Sequence, residues 1–363
     1  MTRRSFIAGL AASAATAAVA DGEDCFARAR AEMRRQIAAG VFAGEVAADA
    51  DGGPVLAEGA QCFIEKRLPM TERSLCDLAS VGKTFTASLM ALLVADGKVD
   101  PDAPFTKYLP RHVLAKEGCR ITVRDLATHS GGFDNDKPWW GERDPKRILE
   151  KLYAHRPRRP RGDGFVYACV NFIYLGKIVE NLTGLDLDAA ARKFLWGPLG
   201  MTHTTWNPVK DDGNVVEFAP KSYAGTGPRR IGDHNDFACH LSPVPLGSGS
   251  AFSTVGDMRL FAADLLHRRK FPKPYYDLLF GECFAKGGVR RSFGWDMTAE
   301  KSSSRMTPAT GFSRRAICHH GWTGPAVVVD PEAGFAGVFL GNATGGYVES
   351  KVGRMKVLAL LRG

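Results

Sequence analysis

The chain has 363 residues, of which 45% are hydrophobic and 24% are charged. This ordinary globular composition excludes a disordered, a collagen-like and a polytopic membrane protein, and the length suits one large domain or two interlocked ones. Lysine and arginine together number 48 against 39 acidic residues, which gives a net charge of +9. Because a nucleic-acid surface needs basic charge concentrated on one face, and this excess is spread along the chain, we expect no nucleic-acid partner.

The first twenty residues have the pattern of an export signal. Arg3 and Arg4 precede a moderately apolar run, 6–20, that closes with a small-x-small tripeptide ending at Ala20, the pattern that signal peptidases accept. Paired arginines in this place resemble a Tat signal. An N-terminal core helix is the less favoured alternative, because the run is rich in Ala, Ser and Thr. We therefore expect cleavage after Ala20 and a periplasmic or extracellular mature chain with no membrane span, since no other run approaches twenty apolar residues.

Eight cysteines are scattered along the chain without a C-x-x-C pair, so their spacing matches neither a zinc site nor a small disulfide scaffold. We expect most of them to be buried as small hydrophobic side chains, and the pairing of any disulfide stays open. Neither H-x-H-x-D nor H-E-x-x-H occurs, and we expect no cofactor. The eight are Cys25, Cys62, Cys76, Cys119, Cys169, Cys239, Cys283 and Cys318.

Hydrophobic periodicity predicts helices and strands near both ends of the chain, with further helices in its middle. Alternating residues around Asp51-Gly52-Gly53 indicate a hairpin, and a long apolar helix is expected to stop at Gly97. This order predicts an α+β fold in which a sheet is built from both termini and a helical part is inserted. The predicted helices cover 24–38, about 80–95, 253–268 and 349–361, and the predicted strands lie within 45–61, 326–329 and 336–340.

The long apolar helix opens on a candidate nucleophile. Ser80 and Lys83 are three residues apart, and on a helix this spacing puts both on one face, so the amine can reach the hydroxyl. A serine becomes nucleophilic when a base takes its proton, and lysine can serve if burial lowers its pKa from about 10.4. A solvated surface pair is the alternative, which the apolar residues that follow make less favoured. Gly82-Lys83-Thr84 also resembles the end of a P-loop, but Asp77 stands where that motif needs a glycine.

Further motifs follow this pair in a fixed order along the chain. They are the segments 77–83, 100–102 and 108–110, the string from Ile121 to Gly132, and the segments 198–201, 252–254 with Asp257, and 294–295. Together with the hairpin at 45–61, this series resembles the class C β-lactamase-like serine hydrolases, which include penicillin-binding DD-peptidases, esterases and β-lactamase-related proteins. The resemblance covers nearly all of the mature chain. It implies an antiparallel sheet from both termini (about 21–79 and 285–363) flanked by helices, with an inserted, mainly helical subdomain (about 80–284) and a cleft between them.

The family's second motif, Tyr-x-Asn, corresponds to Tyr167 and the two residues after it, of which Cys169 replaces the amide. The resemblance implies that Tyr167 is the partner base, which carries a proton between Ser80 and the leaving group, and that Cys169 contacts substrate. Such a tyrosine needs Lys83 nearby to lower its pKa from about 10. A buried core tyrosine is the alternative. Asn171 lies two positions beyond the amide's place.

The family's third motif is Lys or His, any residue, then Gly, on a strand that lines the cleft. His319-His320-Gly321 fits its histidine form. The resemblance implies that His319 and Gly321 contact substrate, and that the backbone N–H groups of Ser80 and Trp322 form the oxyanion hole. Because histidine is a weaker and switchable cation, it disfavours obligate recognition of a substrate carboxylate.

Two other groups of side chains have alternative interpretations. One alternative is a metal site formed by His319 and His320 with Asp233 and His234. This interpretation is less favoured, because adjacent residues on a strand point to opposite faces. The segment 155–161 carries four arginines and would steer anionic substrates or bind an anionic wall polymer. A solvated loop stiffened by prolines is the favoured alternative for that segment.

These observations predict an exported serine hydrolase that acts through an acyl-enzyme on an ester, a small amide or peptide, or a β-lactam-like carbonyl. Esters, small amides and peptides are favoured over efficient β-lactam hydrolysis, because Cys169 and His319 replace an amide and a lysine. A catalytically weak binding or sensor protein on the same fold is one alternative, and a DD-peptidase acting on cell-wall stems is another. The expected partner is a small-molecule or peptide substrate, and the oligomeric state stays open.

Overall fold

A computed structural model describes most of the chain. The expected leader, residues 1–20, and its cleavage site lie outside the described residues. The described residues are 25–62, 68–135, 142, 144–208, 215–216, 232–236, 239, 245–344 and 346–363.

An antiparallel sheet forms the centre of the described part of the molecule. The strands are β1 (Phe42–Asp49), β2 (Leu56–Cys62), β3 (Leu68–Pro69), β4 (Cys76–Asp77), β5 (Phe252–Ser253), β6 (Phe284–Lys286), β7 (Val289–Arg291), β8 (Asp296–Met297), β9 (Ile317–His320), β10 (Ala326–Asp330) and β11 (Phe335–Ala343). All but β4 and β5 form one sheet, in the order β3-β2-β1-β11-β10-β9-β8-β7-β6. The predicted hairpin of β1 and β2 is confirmed, and β1 pairs on its other side with β11, where Val46 lies opposite Leu340. The sheet is therefore built from segments near both ends of the chain, as predicted.

Helices cover the ends of the described chain and much of the stretch between β4 and β5. They are α1 (25–38), α2 (Lys83–Ala95), α3 (Val123–Ala127), α4 (Pro145–Ala154), α5 (Cys169–Thr183), α6 (Leu187–Ala191), α7 (Gly197–Leu199), α8 (Val255–His267), α9 (Lys273–Phe280) and α10 (Tyr347–Arg362), with 3-10 turns at Ala79–Gly82, Phe105–Lys107, Val113–Glu117 and Pro308–Thr310 and a π-helical turn at Arg192–Trp196. The predicted apolar helix is α2, which is buried along most of its length. Its Phe85 packs edge to face against Trp196 and Phe261, with ring centroids 5.4 and 5.2 Å away.

Two hydrophobic layers sandwich the central strands. Along β10, Val327 and Val329 join one layer while Ala326 and Val328 join the other, as the alternation of strand side chains requires. Helices α1 and α10 cover the second layer, and the inserted helices cover the first. Because both faces are covered, every residue of β10 and β11 is buried.

A separate two-stranded ladder joins the start of the helical part to its end. Strands β4 and β5 pair with Cys76 opposite Ser253, and Leu78 donates a backbone hydrogen bond to the Ala251 carbonyl at 2.8 Å. Two-residue strands leave no periodic pattern, so these two cannot be predicted from the sequence. The ladder places the loop 247–250 beside the first turn leading into α2, so closely that a Cβ on Gly249 would lie 2.5 Å from the Ala79 carbonyl oxygen.

Seven of the eight cysteines have described side chains, and no disulfide joins any two of these seven. Five of these are buried, which confirms that most serve as small hydrophobic side chains. The side chain of Cys62 lies outside the described part of the structure. Among the helices that the structure describes, none combines the length and the apolar character needed to cross a bilayer.

Candidate active site

Ser80 lies just after a strained turn between β4 and α2. Ala79 has a φ of +43°, in the left-handed region, which costs a non-glycine residue about 1–3 kcal/mol. Asp77 holds this turn, because its two carboxylate oxygens accept hydrogen bonds from the backbone N–H groups of Ala79 and Asn235, each at 2.7 Å. The Ala79 carbonyl accepts a further bond from Ser250 N at 2.8 Å. These bonds offset the strain and set the direction in which Ser80 is presented.

Two side chains approach the Ser80 hydroxyl. Lys83 Nζ donates to Ser80 Oγ at 3.2 Å, which confirms that the three-residue spacing places both on one face. Tyr167 Oη lies 2.7 Å from the same oxygen, although it is 87 residues away in the chain. The Lys83 amine also lies 5.0 Å from the centroid of the Tyr167 ring. The structure thus brings together the three residues that the sequence singled out for nucleophilic chemistry.

Lys83 is fully buried and surrounded by acceptors. Its Nζ donates to the Ser248 carbonyl and, at 3.7 Å, to Cys169 Sγ. Burial alone would lower the pKa of Lys83, but the acidic groups of Cys169 and Tyr167, together with Asp236, outweigh burial and raise it above its ordinary value. The condition under which Lys83 would serve as a base, a pKa lowered by burial, is therefore not met, because the acceptors around the amine outweigh burial. Lys83 is an ammonium ion in the resting site.

Tyr167 carries a phenol whose ionisation is opposed by its surroundings. Burial raises the pKa of Tyr167 above its ordinary value, while the charge of Lys83 and the hydrogen bonding with Lys83 and Ser80 act in the opposite direction without cancelling burial. The resting side chain is therefore a neutral phenol beside an ammonium ion. Its phenolate becomes populated as the pH rises.

Cys169 occupies the first position of α5, next to Lys83. Its backbone N–H donates to Asn135 Oδ1 at 3.2 Å, and its sulfur accepts from the lysine amine. Asn171, one half-turn later, is fully buried and its amide nitrogen lies 3.1 Å from His129 Nδ1. The structure therefore places the thiol, and not the Asn171 amide, beside the lysine.

The two histidines of β9 lie in different surroundings. His319 is only 3% exposed, and burial together with the charge of Arg291 lowers its pKa to about 3. His320 lines the cavity in front of Ser80, whereas His319 is not among the residues that do. The structure thus corrects the expected switchable cation: burial and Arg291 keep the His319 imidazole neutral. His320 has different surroundings because successive strand residues face opposite sides.

The end of β9 runs close to the turn that carries Ser80. A Cβ on Gly321 would lie 2.5 Å from the Leu78 carbonyl oxygen, so only glycine allows this approach of the two backbones. The next residue, Trp322, is 43% exposed and lines the same cavity as Ser80. Gly321 itself therefore serves the backbone approach, and Trp322 is the residue that reaches the cavity.

A cavity of about 330 Å³ opens in front of Ser80. Five of its residues belong to none of the motifs noted in the sequence, because they come from segments far apart in the chain: Asn135, Asn235, Asp236, Ser303 and Lys351. The Gly-Ser loop 247–250 contributes three residues. The full lining is Ala79, Ser80, Asn135, Tyr167, Cys169, Asn235, Asp236, Ser248, Gly249, Ser250, Ser303, His320, Trp322 and Lys351.

Lys351, from α10, brings an amine to this cavity. Its Nζ donates to the Ser303 carbonyl at 2.9 Å. Burial and the charge of Arg354 lower the pKa of Lys351 to about 8. At neutral pH this side chain is therefore mainly an ammonium ion at the wall of the cavity.

The basic segment 155–161 contributes no residue to the cavity lining. Arg156 pairs with Glu117 through two hydrogen bonds of 2.6 Å, and Arg161 pairs with Asp125. Arg158 pairs with Asp134 at 3.2 Å, so three of the four arginines of the segment are held in ion pairs. A role of the segment in steering substrates stays a prediction.

Comparison with known proteins places the chain in a family and tests its predicted fold. The sequence profile of a family described as Beta-lactamase matches residues 28–362. A relative from Escherichia coli strain K12, named as a candidate D-alanyl-D-alanine carboxypeptidase, is 27% identical over 318 residues, covering 77% of this chain and 71% of the relative. The N-acetylmuramyl-L-alanine amidase of Bacillus subtilis strain 168 is 27% identical over 348 residues, covering 82% and 76%. The solved structure of a class C β-lactamase matches with a TM-score of 0.76 over 94% of this chain and 96% of that chain at 17% identity, which confirms the predicted fold.

Proposed function

The chain belongs to the Beta-lactamase family, a family of serine hydrolases, and from this premise we propose that it cleaves its substrate through an acyl-enzyme on Ser80. The observation that carries the proposal is the convergence on Ser80 Oγ of the Lys83 amine at 3.2 Å and the Tyr167 hydroxyl at 2.7 Å. A serine with an ionisable phenol and a cation at hydrogen-bond distance has the arrangement of a nucleophile that is activated once the phenol ionises.

In the proposed reaction Tyr167 is the general base and Lys83 is its electrostatic partner. The Tyr167 phenolate takes the proton of Ser80 as Oγ attacks the substrate carbonyl, and the Lys83 ammonium stabilises that phenolate. The protonated Tyr167 then gives the proton to the leaving group as the tetrahedral intermediate collapses. Water attacks the acyl-enzyme in the second half, with Tyr167 again as base, and releases the acid and free Ser80. Lys83 keeps its proton throughout, which its raised pKa supports.

We assign the oxyanion hole to the backbone N–H groups of Ser80 and Trp322. Both residues line the cavity, and the glycine between β9 and Trp322 allows the two backbones to approach each other. Backbone donors held by a sheet and by a tight turn cost no reorganisation when negative charge develops on the carbonyl oxygen. Cys169 lies beside the reacting groups, where it contacts Lys83 and lines the substrate cavity.

The substrate class that the cavity supports best is an ester, a small amide or a short peptide. A volume of about 330 Å³ lies at the small end for ligand pockets and suits a compact acyl group. The buried His319 is neutral and lies off the cavity, so it supplies no cation to a substrate carboxylate. Lys351 supplies one instead, from a different element of the fold.

Relatives favour a second candidate, a peptidase or amidase of the cell wall. One is named as a candidate D-alanyl-D-alanine carboxypeptidase and another as an N-acetylmuramyl-L-alanine amidase. A leader at residues 1–20, which we propose directs export, would bring the protein to such substrates. Stable acylation of Ser80 by a labelled penicillin would favour this candidate, and turnover of simple esters without such acylation would favour the first.

The test of the proposed function is the intact mass of the protein after exposure to a fluorophosphonate. We expect one adduct, mapped to Ser80, and none in Ser80→Ala or Lys83→Ala. Ser302→Ala, a serine next to the cavity but outside its lining, is the matched control and should be labelled like the unmodified protein. Absence of an adduct in the folded, unmodified protein would refute the acyl-enzyme and favour a binding role.

A further inference from the structure

His129 is a buried histidine with a strained backbone. Its φ is +59°, in the left-handed region, and its side chain is almost fully buried. A non-glycine residue in this conformation costs about 1–3 kcal/mol and persists only where its surroundings over-determine it. The proposed mechanism gives His129 no role, so the contacts that compensate for its strain need an explanation.

Those contacts hold the backbone on both sides of Tyr167. The N–H of Val166 donates to the His129 carbonyl at 3.0 Å, and the N–H of Ala168 donates to His129 Nδ1 at 3.2 Å. Between these bonds, the imidazole lies against the Tyr167 ring with centroids 4.6 Å apart and planes tilted by 37°. One residue therefore fixes the backbone before Tyr167, the backbone after it, and the face of its ring.

The imidazole is itself held in one orientation. Asn171 Nδ2 lies 3.1 Å from the same Nδ1, so two N–H donors converge on that nitrogen. The Phe172 and Phe165 rings pack around the imidazole at centroid distances of 5.2 and 5.9 Å. Since Nδ1 accepts, the ring proton resides on Nε2, and burial and nearby Arg291 and Lys83 keep the ring neutral by lowering its pKa well below the ordinary value.

We infer that His129 is the positioning residue for Tyr167: through Val166, Ala168 and ring contact it holds the tyrosine hydroxyl at hydrogen-bond distance from Ser80. The inference rests on the proposed function, in which Tyr167 is the base. A shift of about 1 Å in a proton-transferring group costs up to about 100-fold in rate. The left-handed conformation of His129 directs its carbonyl to Val166 while its side chain reaches Ala168. The strained backbone is therefore what allows both hydrogen bonds to form.

The test compares His129→Gly with His129→Asn. Glycine accepts the positive φ without strain and removes the whole side chain, whereas asparagine tolerates this φ and restores an acceptor for Ala168 N–H. The kcat for a p-nitrophenyl ester, divided by the number of sites titrated with fluorophosphonate, excludes any loss through unfolding. We expect His129→Gly to lower kcat per site about 10- to 100-fold with KM changed less than threefold. We expect kcat per site of His129→Asn to be about tenfold higher than that of His129→Gly. Unchanged kcat per site in His129→Gly, or no recovery in His129→Asn, would overturn the inference.

If His129→Gly does not fold, a double-mutant cycle with Tyr167→Phe tests whether His129 acts through Tyr167. Because His129 acts through Tyr167, we expect His129→Asn to slow labelling of Ser80 severalfold in the native background and by less than about twofold in the Tyr167→Phe background. Equal slowing in both backgrounds would indicate a merely structural residue and overturn the inference alone. A native protein that neither turns over ester nor takes up the label would overturn the proposed function and this inference with it.

Discussion

Replacing Glu45 should stabilise the protein and remove a large part of its pH dependence. Glu45 lies on the central strand β1, is fully buried, and neither carboxyl oxygen has a hydrogen-bond partner among the described residues. Burial, reinforced by the charges of Glu32 and Glu58, raises the pKa of Glu45 to about 9. The folded protein therefore holds a proton there that the unfolded chain, with an ordinary carboxyl pKa, releases above about pH 4.5.

The size and sign of the effect follow from this difference. Between about pH 4.5 and pH 9 the folded state binds one more proton at Glu45 than the unfolded state, so stability falls as the pH rises, by about 1.4 kcal/mol per pH unit. At pH 7 the penalty is about 3 kcal/mol, and below about pH 4.5 it vanishes. Glu45→Gln removes the titration, so its gain in stability should grow from pH 5 to pH 8.

Urea unfolding followed by circular dichroism at pH 5, 6, 7 and 8 measures this gain. Glu300→Gln, which removes an exposed carboxylate, is the matched control for a change in net charge. A difference between Glu45→Gln and the native protein that is the same at every pH would refute the reasoning. It would show that the carboxyl either stays ionised when folded or is reached by water.

Three further predictions concern the candidate site. Labelling of Ser80 by fluorophosphonate should accelerate as the pH rises from 6 to 10, because burial raises the pKa of Tyr167 and only its phenolate accepts the serine proton. Tyr167→Phe should flatten this pH profile. A labelling rate of the native protein that falls as the pH rises would contradict the assignment. Cys169→Asn should lower kcat severalfold in steady-state ester assays, since the site is packed around a sulfur 3.7 Å from the Lys83 amine; a gain in activity would mark the native site as decayed. Lys351→Ala should raise KM for a carboxylate-bearing ester about tenfold and leave KM for a neutral ester unchanged, which corresponds to the loss of one charged hydrogen bond. Because the pKa of Lys351 is about 8, the native preference should fade above that pH, and equal effects on both esters would exclude Lys351 as the carboxylate contact.

Local sequence determined the elements of this protein and the first half of its site. The alternation on either side of Asp51-Gly52-Gly53 produced the hairpin of β1 and β2, and the apolar run after Ser80 produced a helix buried along most of its length. The spacing of Ser80 and Lys83 was enough to place both on one face, because the geometry of a helical turn depends on no other part of the chain. Such features are readable because their physical cause is local.

Tertiary structure alone decided the rest, because burial and long-range contacts have no local signal. Lys351 lines the cavity from α10, 271 positions after Ser80 in the sequence, and the residues that flank it in the sequence do not indicate that location. The motif at β9 suggested a cation at His319, but the packing of Arg291 and the exclusion of water made it a neutral imidazole. The same is true of Lys83, whose pKa rises because its acceptors arrive from distant segments. The sequence thus specified which chemical groups the chain carries and which local structures it forms. The protonation state and the neighbours of each group depended on the surfaces that folding brought together.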